Sequence, residues 1–227
     1  MDYKIITDAK QKEFEEAYAI YKESFPAGEL ESKSDIKTML GKNSQPEEYP
    51  TCFWIVATNG LEVTGLATMQ YLPSLAAAFL GYLVVKKKHR EHGLGSTLAI
   101  HALKTIKNIH LKLSTKAFLG IFSEIDFLKG KSAIRQKRLM FWNRLGMRPL
   151  EVAWRYPQLT SGTKASGVYL AFWPSSEEFV AFSKEQMHNI VDIIYENVYN
   201  RRESDVELDL VRSSIAHGPR FITFRTL

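Results

Sequence analysis

The chain has 227 residues, with 30 Lys and Arg against 25 Asp and Glu for a formal net charge of +5. Apolar residues make up 45% and charged residues 24%, the balance of an ordinary globular chain, which excludes disorder, a fibrous repeat and a disulfide scaffold. The longest apolar run, Leu75 to Val85, falls well short of the ~20 residues that cross a bilayer, and Cys52 is the lone cysteine, so an intrachain disulfide and a cysteine metal cluster are excluded as well.

The first predicted element is a strand at 3–7, followed by a helix capped by Asp8 in which Phe14, Ala17, Tyr18, Tyr21 and Phe25 recur at helical spacing. Pro26 and Gly28 end it. A second helix is expected from Ser34 to Leu40, and the polar, proline-bearing stretch 43–50 then reads as a loop. Strands at 52–58 and 61–71 flank Asn59-Gly60, the signature of a hairpin. A third strand at 76–85 lacks clean alternation and is expected to be buried on both faces.

A helix from Gly93 to Asn108 carries Leu94, Leu98, Ala102 and Ile106 on one stripe. Next come a strand at 116–125, a helix at 132–145 closed by Gly146, and strands at 148–156 and 168–173. The stretch 177–199 is amphipathic, although Ser183 and Gln186 form a capping-box pattern that could split it. A short strand at 221–224 completes the list. This order predicts a mixed α/β fold, a single domain over residues 1–200 with an extension at 201–227 that packs on the core or on a second subunit in a homodimer. MDYKIITDAK lacks a basic start followed by an apolar stretch, so no secretory leader is expected and the setting is read as cytoplasmic.

The most informative segment is 81–98, where a buried strand ends near Val85, the basic run Lys86 to Arg90 follows, and Arg90-x-x-Gly93-x-Gly95 opens a helix. Such a turn aims several unpaired amides at one point, and the helix dipole adds partial positive charge there. Side chains at 93 and 95 would keep a phosphate oxygen from the backbone, which is why glycine matters at both. The pattern is neither a dinucleotide fingerprint nor a Walker loop.

The segment VVKKKHREHGLGSTL resembles the acyl-CoA signature of the GNAT superfamily of N-acyltransferases, Arg/Gln-x-x-Gly-x-Gly/Ala. Supporting likenesses are the aromatic first helix ending in SFP (24–26), the strand at 116–125 and FWNRLGM (141–147). The resemblance implies a mostly antiparallel central sheet flanked by helices, with acetyl-CoA or a related acyl-CoA as co-substrate. It places pantetheine on the backbone of Val84, Val85 and Lys86, and the diphosphate on Arg90, Glu91, His92, Gly93, Leu94, Gly95, Ser96 and Thr97.

Acyl transfer to an amine needs a deprotonated amine, a stabilised oxyanion and a proton for the leaving thiolate. Cys52 lies in an apolar strand and reads as a buried thiol, so direct attack in a ternary complex is favoured over an acyl-enzyme. The resemblance makes Glu124 the general base. Asp126, two residues on, would share its strand face and attract a cationic acceptor. Both could instead be solvated strand-end charges. Where many family members carry the tyrosine that protonates sulfur, this chain has Trp142; Tyr156 is the substitute weighed against a packing role.

His89 and His92 lack a third ligand in the sequence, so no metal is expected. The basic run is explained by a phosphate-rich co-substrate rather than nucleic acid, and no membrane partner is expected. The reading is therefore an N-acetyltransferase acting on a primary amine, either a small molecule or a peptide. Its rivals are transfer of a longer acyl chain, to an amino acid or to an acyl-homoserine lactone precursor, and a CoA-binding regulator without catalysis.

Overall fold

The computed structural model describes residues 1–26, 30–42, 51–60, 62–126, 133–155, 157, 168–177, 181–201, 205–215 and 221. It divides into two compact units, Met1–Phe118 and Leu119–Leu227. No helix among the described residues is long and apolar enough to cross a membrane.

In the first unit, β1 (Asp2–Ile6), β2 (Thr51–Thr58), β3 (Val63–Leu72) and β4 (Ala77–Val85) lie side by side in chain order and every neighbouring pair is antiparallel. Helices α1 (Phe14–Ser24) and α2 (Lys33–Gly41) cover one face, where Phe14, Tyr21, Ile36 and Leu40 pack with Trp54, Val56 and Leu66 in one core. The long α3 (Leu94–Leu113) covers the other face: a Cβ at Gly65, next to Leu66 on β3, would lie 3.1 Å from Leu98. Helices on both sides explain why every residue of β2 is buried.

Helix α1 starts at Phe14, the first residue of its apolar pattern, and not directly after Asp8. Asp8 does not cap it: the Asp8 carboxylate accepts from the Lys10 amide at 2.8 Å, and Gln11 Oε1 takes the amides of Thr7 and Asp8 at 2.6 and 3.0 Å. These side chains satisfy the backbone in a separate turn before the helix. Helix α2 is capped by Ser32, whose side chain accepts from the Asp35 amide. Strand β4 departs from full burial at its middle, where Gly81 is exposed and Tyr82 and Leu83 are half-buried.

In the second unit, β5 (Gly120–Asp126) pairs antiparallel with β7 (Val168–Pro174), and β6 (Arg148–Pro149) pairs with β7 on its other edge. The strand expected at 148–156 shrinks to those two residues. Beyond Pro149 the backbone turns on itself, with Val152 N–H donated to Leu150 O at 2.9 Å and Trp154 N–H to Val152 O at 2.7 Å, bonds that span two residues and replace a ladder. Helix α4 spans Ala133–Arg144. Ser183 and Gln186 do form a capping box, so α5 runs only over Lys184–Asn197.

The segment 201–227 contributes α6 (Val206–Ser214), packed by Leu208 and Val211 and tied to α5 by Arg212 Nε to Asp192 Oδ1 at 2.7 Å. Ser214 Oγ accepts the Ala153 amide at 3.2 Å. Of the strand expected at 221–224, Phe221 bridges to Leu150 and the rest lies outside the described residues. The fold is mixed α/β with antiparallel strands flanked by helices.

Candidate functional site

The junction between β4 and α3 carries the glycine motif. Arg90 Nε donates to Val85 O at 2.8 Å, which ties the turn back to the end of its own strand. Glu91 at φ +71 and Gly93 at φ +76 both adopt the left-handed conformation. That geometry costs a non-glycine residue of order 1 kcal/mol, so Glu91 is held there by its surroundings. A Cβ placed on Gly93 would meet nothing within 4 Å, so the space in front of the loop is open.

The first bond of the helical ladder runs from Thr97 N–H to Gly93 O at 3.1 Å. The amides of Leu94, Gly95 and Ser96 precede it and have no acceptor within the helix. The first turn of α3 holds no acidic residue. Three adjacent donors at the positive end of a 20-residue helix suit the oxygens of a phosphate group. The Thr97 hydroxyl turns inward to Leu94 O at 3.0 Å.

On the strand, the Lys86 amide is already donated to Thr64 O at 2.9 Å. Because backbone direction alternates along a strand, the polar groups of Val84 also face β3, while those of Leu83 and Val85 face away from it. Among the residues expected to hold pantetheine, the Lys86 amide is thus engaged with Thr64 and the Val85 carbonyl with Arg90 Nε.

The basic run is less open than its sequence suggests. Lys86 Nζ, Lys88 Nζ and His89 Nε2 converge on Glu62 at 3.2, 2.7 and 3.1 Å. These donors, Lys88 first, bring the Glu62 carboxyl down to about 2. Lys86, Lys87 and Arg90 also line a cleft of about 260 Å³ whose other wall is Ile20, Glu23 and Ser24 of α1. Cys52 is buried, and burial pushes its thiol up to about 12, so it is poorly suited to act as a nucleophile.

In the second unit, Glu124 projects from β5 into a ring of aromatic donors. Its Oε1 accepts the Trp154 indole N–H at 2.6 Å and the Tyr199 hydroxyl. Tyr195 packs edge-on against Tyr199 at 5.4 Å between centroids and donates its own hydroxyl to Arg155 O. Burial and the charge of Glu124 hold the Tyr199 hydroxyl well above the ordinary tyrosine range, so it stays protonated and donating. Trp142 lies on α4, half-buried, with its ring 4.8 Å from that of Phe141. Tyr156 and the Asp126 side chain lie outside the described residues.

Residues 14–121 match the model of the acetyltransferase (GNAT) family. Over that stretch, a little under half of the chain, the protein is similar to the GNAT family. Solved structures share the GNAT fold at low identity. A GNAT-family protein from Bacteroides thetaiotaomicron aligns with a TM-score of 0.61 and 14% identity, covering 89% of this chain and all (100%) of that one. Arabidopsis thaliana NAA60, solved in complex with acetyl-CoA, gives 0.52 and 13%, covering 77% and 98%. Tetrahymena GCN5 gives 0.50 and 13%, covering 79% and 99%. None of the curated proteins compared matches the chain. The GNAT signature turn, 90–97, lies inside the matched segment.

Sequence reasoning missed three participants. Glu62 clamps the basic run from 24 to 27 positions away, and Trp154 and Tyr199 reach Glu124 from 30 and 75 positions along the chain. None of them sits in a motif, and only the folded chain brings them to their partners.

Proposed function

We propose that this protein is an N-acetyltransferase that moves an acetyl group from acetyl-CoA to a primary amine by direct attack within a ternary complex. The observation that carries the reading is the open turn before α3, with three helix-end amides and a glycine at 93 that leaves the approach clear. The family and the fold agree with it, and the Arabidopsis relative was solved with acetyl-CoA.

Acetyl-CoA supplies the activated thioester. The chain's part is to hold the diphosphate on the amides of Leu94, Gly95 and Ser96, and to seat the pantetheine arm at the end of β4, along Val84, Val85 and Lys86. Glu124 is the proposed base that relieves the amine of its proton, and Trp154 and Tyr199 fix its carboxylate. The buried Cys52 leaves the acetyl group no cysteine to rest on. No tyrosine stands at 142, so the leaving thiolate takes its proton from water or from Tyr156.

Binding is tested by thermal denaturation of the full chain with acetyl-CoA. Ligand at 100 times its dissociation constant stabilises by ~2.7 kcal/mol, which raises the melting temperature by about 5–10 °C at this size. No shift with acetyl-CoA or with longer acyl-CoAs would overturn the reading. A shift with longer chains alone would replace acetyl by a larger acyl group.

A further inference from the structure

Strand β1 is an end strand: among the described residues only β2 pairs with it. Two observations fix which backbone groups line its outer edge. Tyr3 stands opposite Ala57, and the Ala57 carbonyl turns away towards β3, where it accepts from Thr64 Oγ1 at 3.0 Å. Residues opposed in an antiparallel ladder either exchange bonds or both face away, so Tyr3 N–H and C=O point out of the sheet. Ile5, two residues on, points the same way, and its carbonyl accepts from Gln11 Nε2 at 3.1 Å. The edge therefore presents both polar groups of Tyr3 and the Ile5 amide, and Gln11 closes it beyond Ile5.

The side chains of β1 divide by parity between the two faces. Tyr3 stacks on His101 of α3 with centroids 4.1 Å apart, and Ile5 shares that face. Ile5 is 36% exposed and Met1, just before the strand, 61%, large apolar side chains left in water beside an open edge. On the other face Ile6 enters the core with Phe14, while Asp2 and Lys4 are exposed. Lys4 Nζ is bonded to Glu13, and an ammonium has donors for a second carboxylate as well. Charges on an edge strand ordinarily keep copies apart. Here they are opposite in sign, two residues apart and on one face.

We propose that this edge is the interface with a second copy of the chain, β1 pairing antiparallel with β1 about a two-fold axis at Tyr3. Charge selects the register. Outward-facing groups meet only where odd residues oppose odd ones, which leaves the even residues at the close, non-hydrogen-bonded positions with Cα atoms ~4.5 Å apart. Of such registers, one sets Asp2 against Asp2 and another Lys4 against Lys4, and like charges directly opposite destabilise a ladder. The register between them sets Asp2 of each copy against Lys4 of the other. It also sets Tyr3 against Tyr3, which exchange two backbone hydrogen bonds, and the exposed Ile5 against the exposed Met1, with Ile5 N–H donated to Met1 O. Each unlike contact occurs twice, as an isologous interface requires. The pairing uses no part of the glycine turn and stands independently of the transferase reading.

The test is sedimentation equilibrium of the full chain over a range of micromolar concentrations. The wild-type chain should reach twice its own 26.0 kDa. Asp2→Lys sets lysine against lysine across the axis, and Lys4→Asp sets aspartate against aspartate, so each variant alone should sediment as a monomer. An equimolar mixture of the two should recover the dimer, because every cross-strand pair is then of opposite sign. That recovery also shows that both variants are folded, so loss of the dimer in each alone is loss of pairing. A wild-type chain that stays monomeric overturns the proposal and leaves the edge to some other partner. Either variant dimerising as well as wild type overturns it too, since the copies would then meet through another surface. A mixture that remains monomeric, with both variants melting as cooperatively as wild type, would remove the Asp2–Lys4 register and the proposal with it.

Discussion

Tyr199 donates its hydroxyl to Glu124 Oε1, the same atom that takes the Trp154 indole proton. The two residues are 75 positions apart, joined by a fold that brings the end of α5 against β5. A carboxylate held by two donors is fixed in direction, as a base must be to meet an amine at hydrogen-bond distance. In the proposed reaction the tyrosine is a positioning residue, acting through Glu124.

Glu124→Gln is expected to keep the acetyl-CoA thermal shift and to lower kcat by ~100-fold or more, the usual weight of a general base. Tyr199→Phe removes one hydrogen bond to a charged group, worth ~1.5–3 kcal/mol. It should lower kcat while leaving the KM for acetyl-CoA unchanged, and it should displace the acid limb of the pH–rate profile. Full turnover in Glu124→Gln would make that residue a bystander, and an unmoved acid limb in Tyr199→Phe would make the tyrosine merely structural.

Gly93→Glu should abolish acetyl-CoA binding, because it places an anion at the open approach to the α3 amides and strains a backbone at φ +76. Gly93→Ala carries the strain without the charge. It should cost about 1 kcal/mol of stability and retain a measurable acetyl-CoA shift. Equal loss of binding in both variants would show that backbone geometry, not phosphate attraction, is what the position supplies.

The Glu62 cluster gives a pH signature. Its carboxyl titrates at about 2 in the folded chain against ~4.3 when unfolded. A depressed carboxyl pKa stabilises above the unfolded value, and that stabilisation fades as pH falls through the folded one. The melting-temperature difference between wild type and Glu62→Gln should therefore be full above pH ~4.5, shrink below it and vanish near pH 2. High salt should shrink it too, because the cluster is exposed. A difference independent of pH would mean that Glu62 acts by packing.

Gly120 opens β5 at φ +148, and a Cβ there would lie 2.3 Å from Trp173 O and 2.8 Å from the Phe172 ring. Neither backbone nor buried ring can yield cheaply. Gly120→Ala should destabilise the chain by ~2–4 kcal/mol, seen as a melting temperature lower by several degrees at least. A loss under about 1 kcal/mol would show that β7 shifts to admit the methyl group.

The strand-and-helix order of the first unit could be read from the sequence because its signals are local. Asn59-Gly60 marks the β2–β3 hairpin, and Leu94, Leu98, Ala102 and Ile106 mark the buried stripe of α3. The same holds for the glycine turn, whose residues are contiguous. The separate turn before α1 and the loss of strand beyond Pro149 were hidden because polar side chains and two-residue backbone bonds, not hydrophobic period, decide them. The pairings of Glu62 with the basic run and of Glu124 with Tyr199 depend on tertiary approach. Charge counting alone reads Lys86, Lys88 and His89 as open cations when each already has a partner.

The most direct test of the transferase reading is to incubate the full chain with acetyl-CoA and a panel of small amines and N-terminal peptides, following thiol release and the mass of each amine. The account predicts thiol release that depends on both substrates, at least one amine gaining a single acetyl group, and loss of both signals in Gly93→Glu. Acetyl-CoA binding with no amine ever acylated would contradict it and leave a CoA-binding regulator in its place.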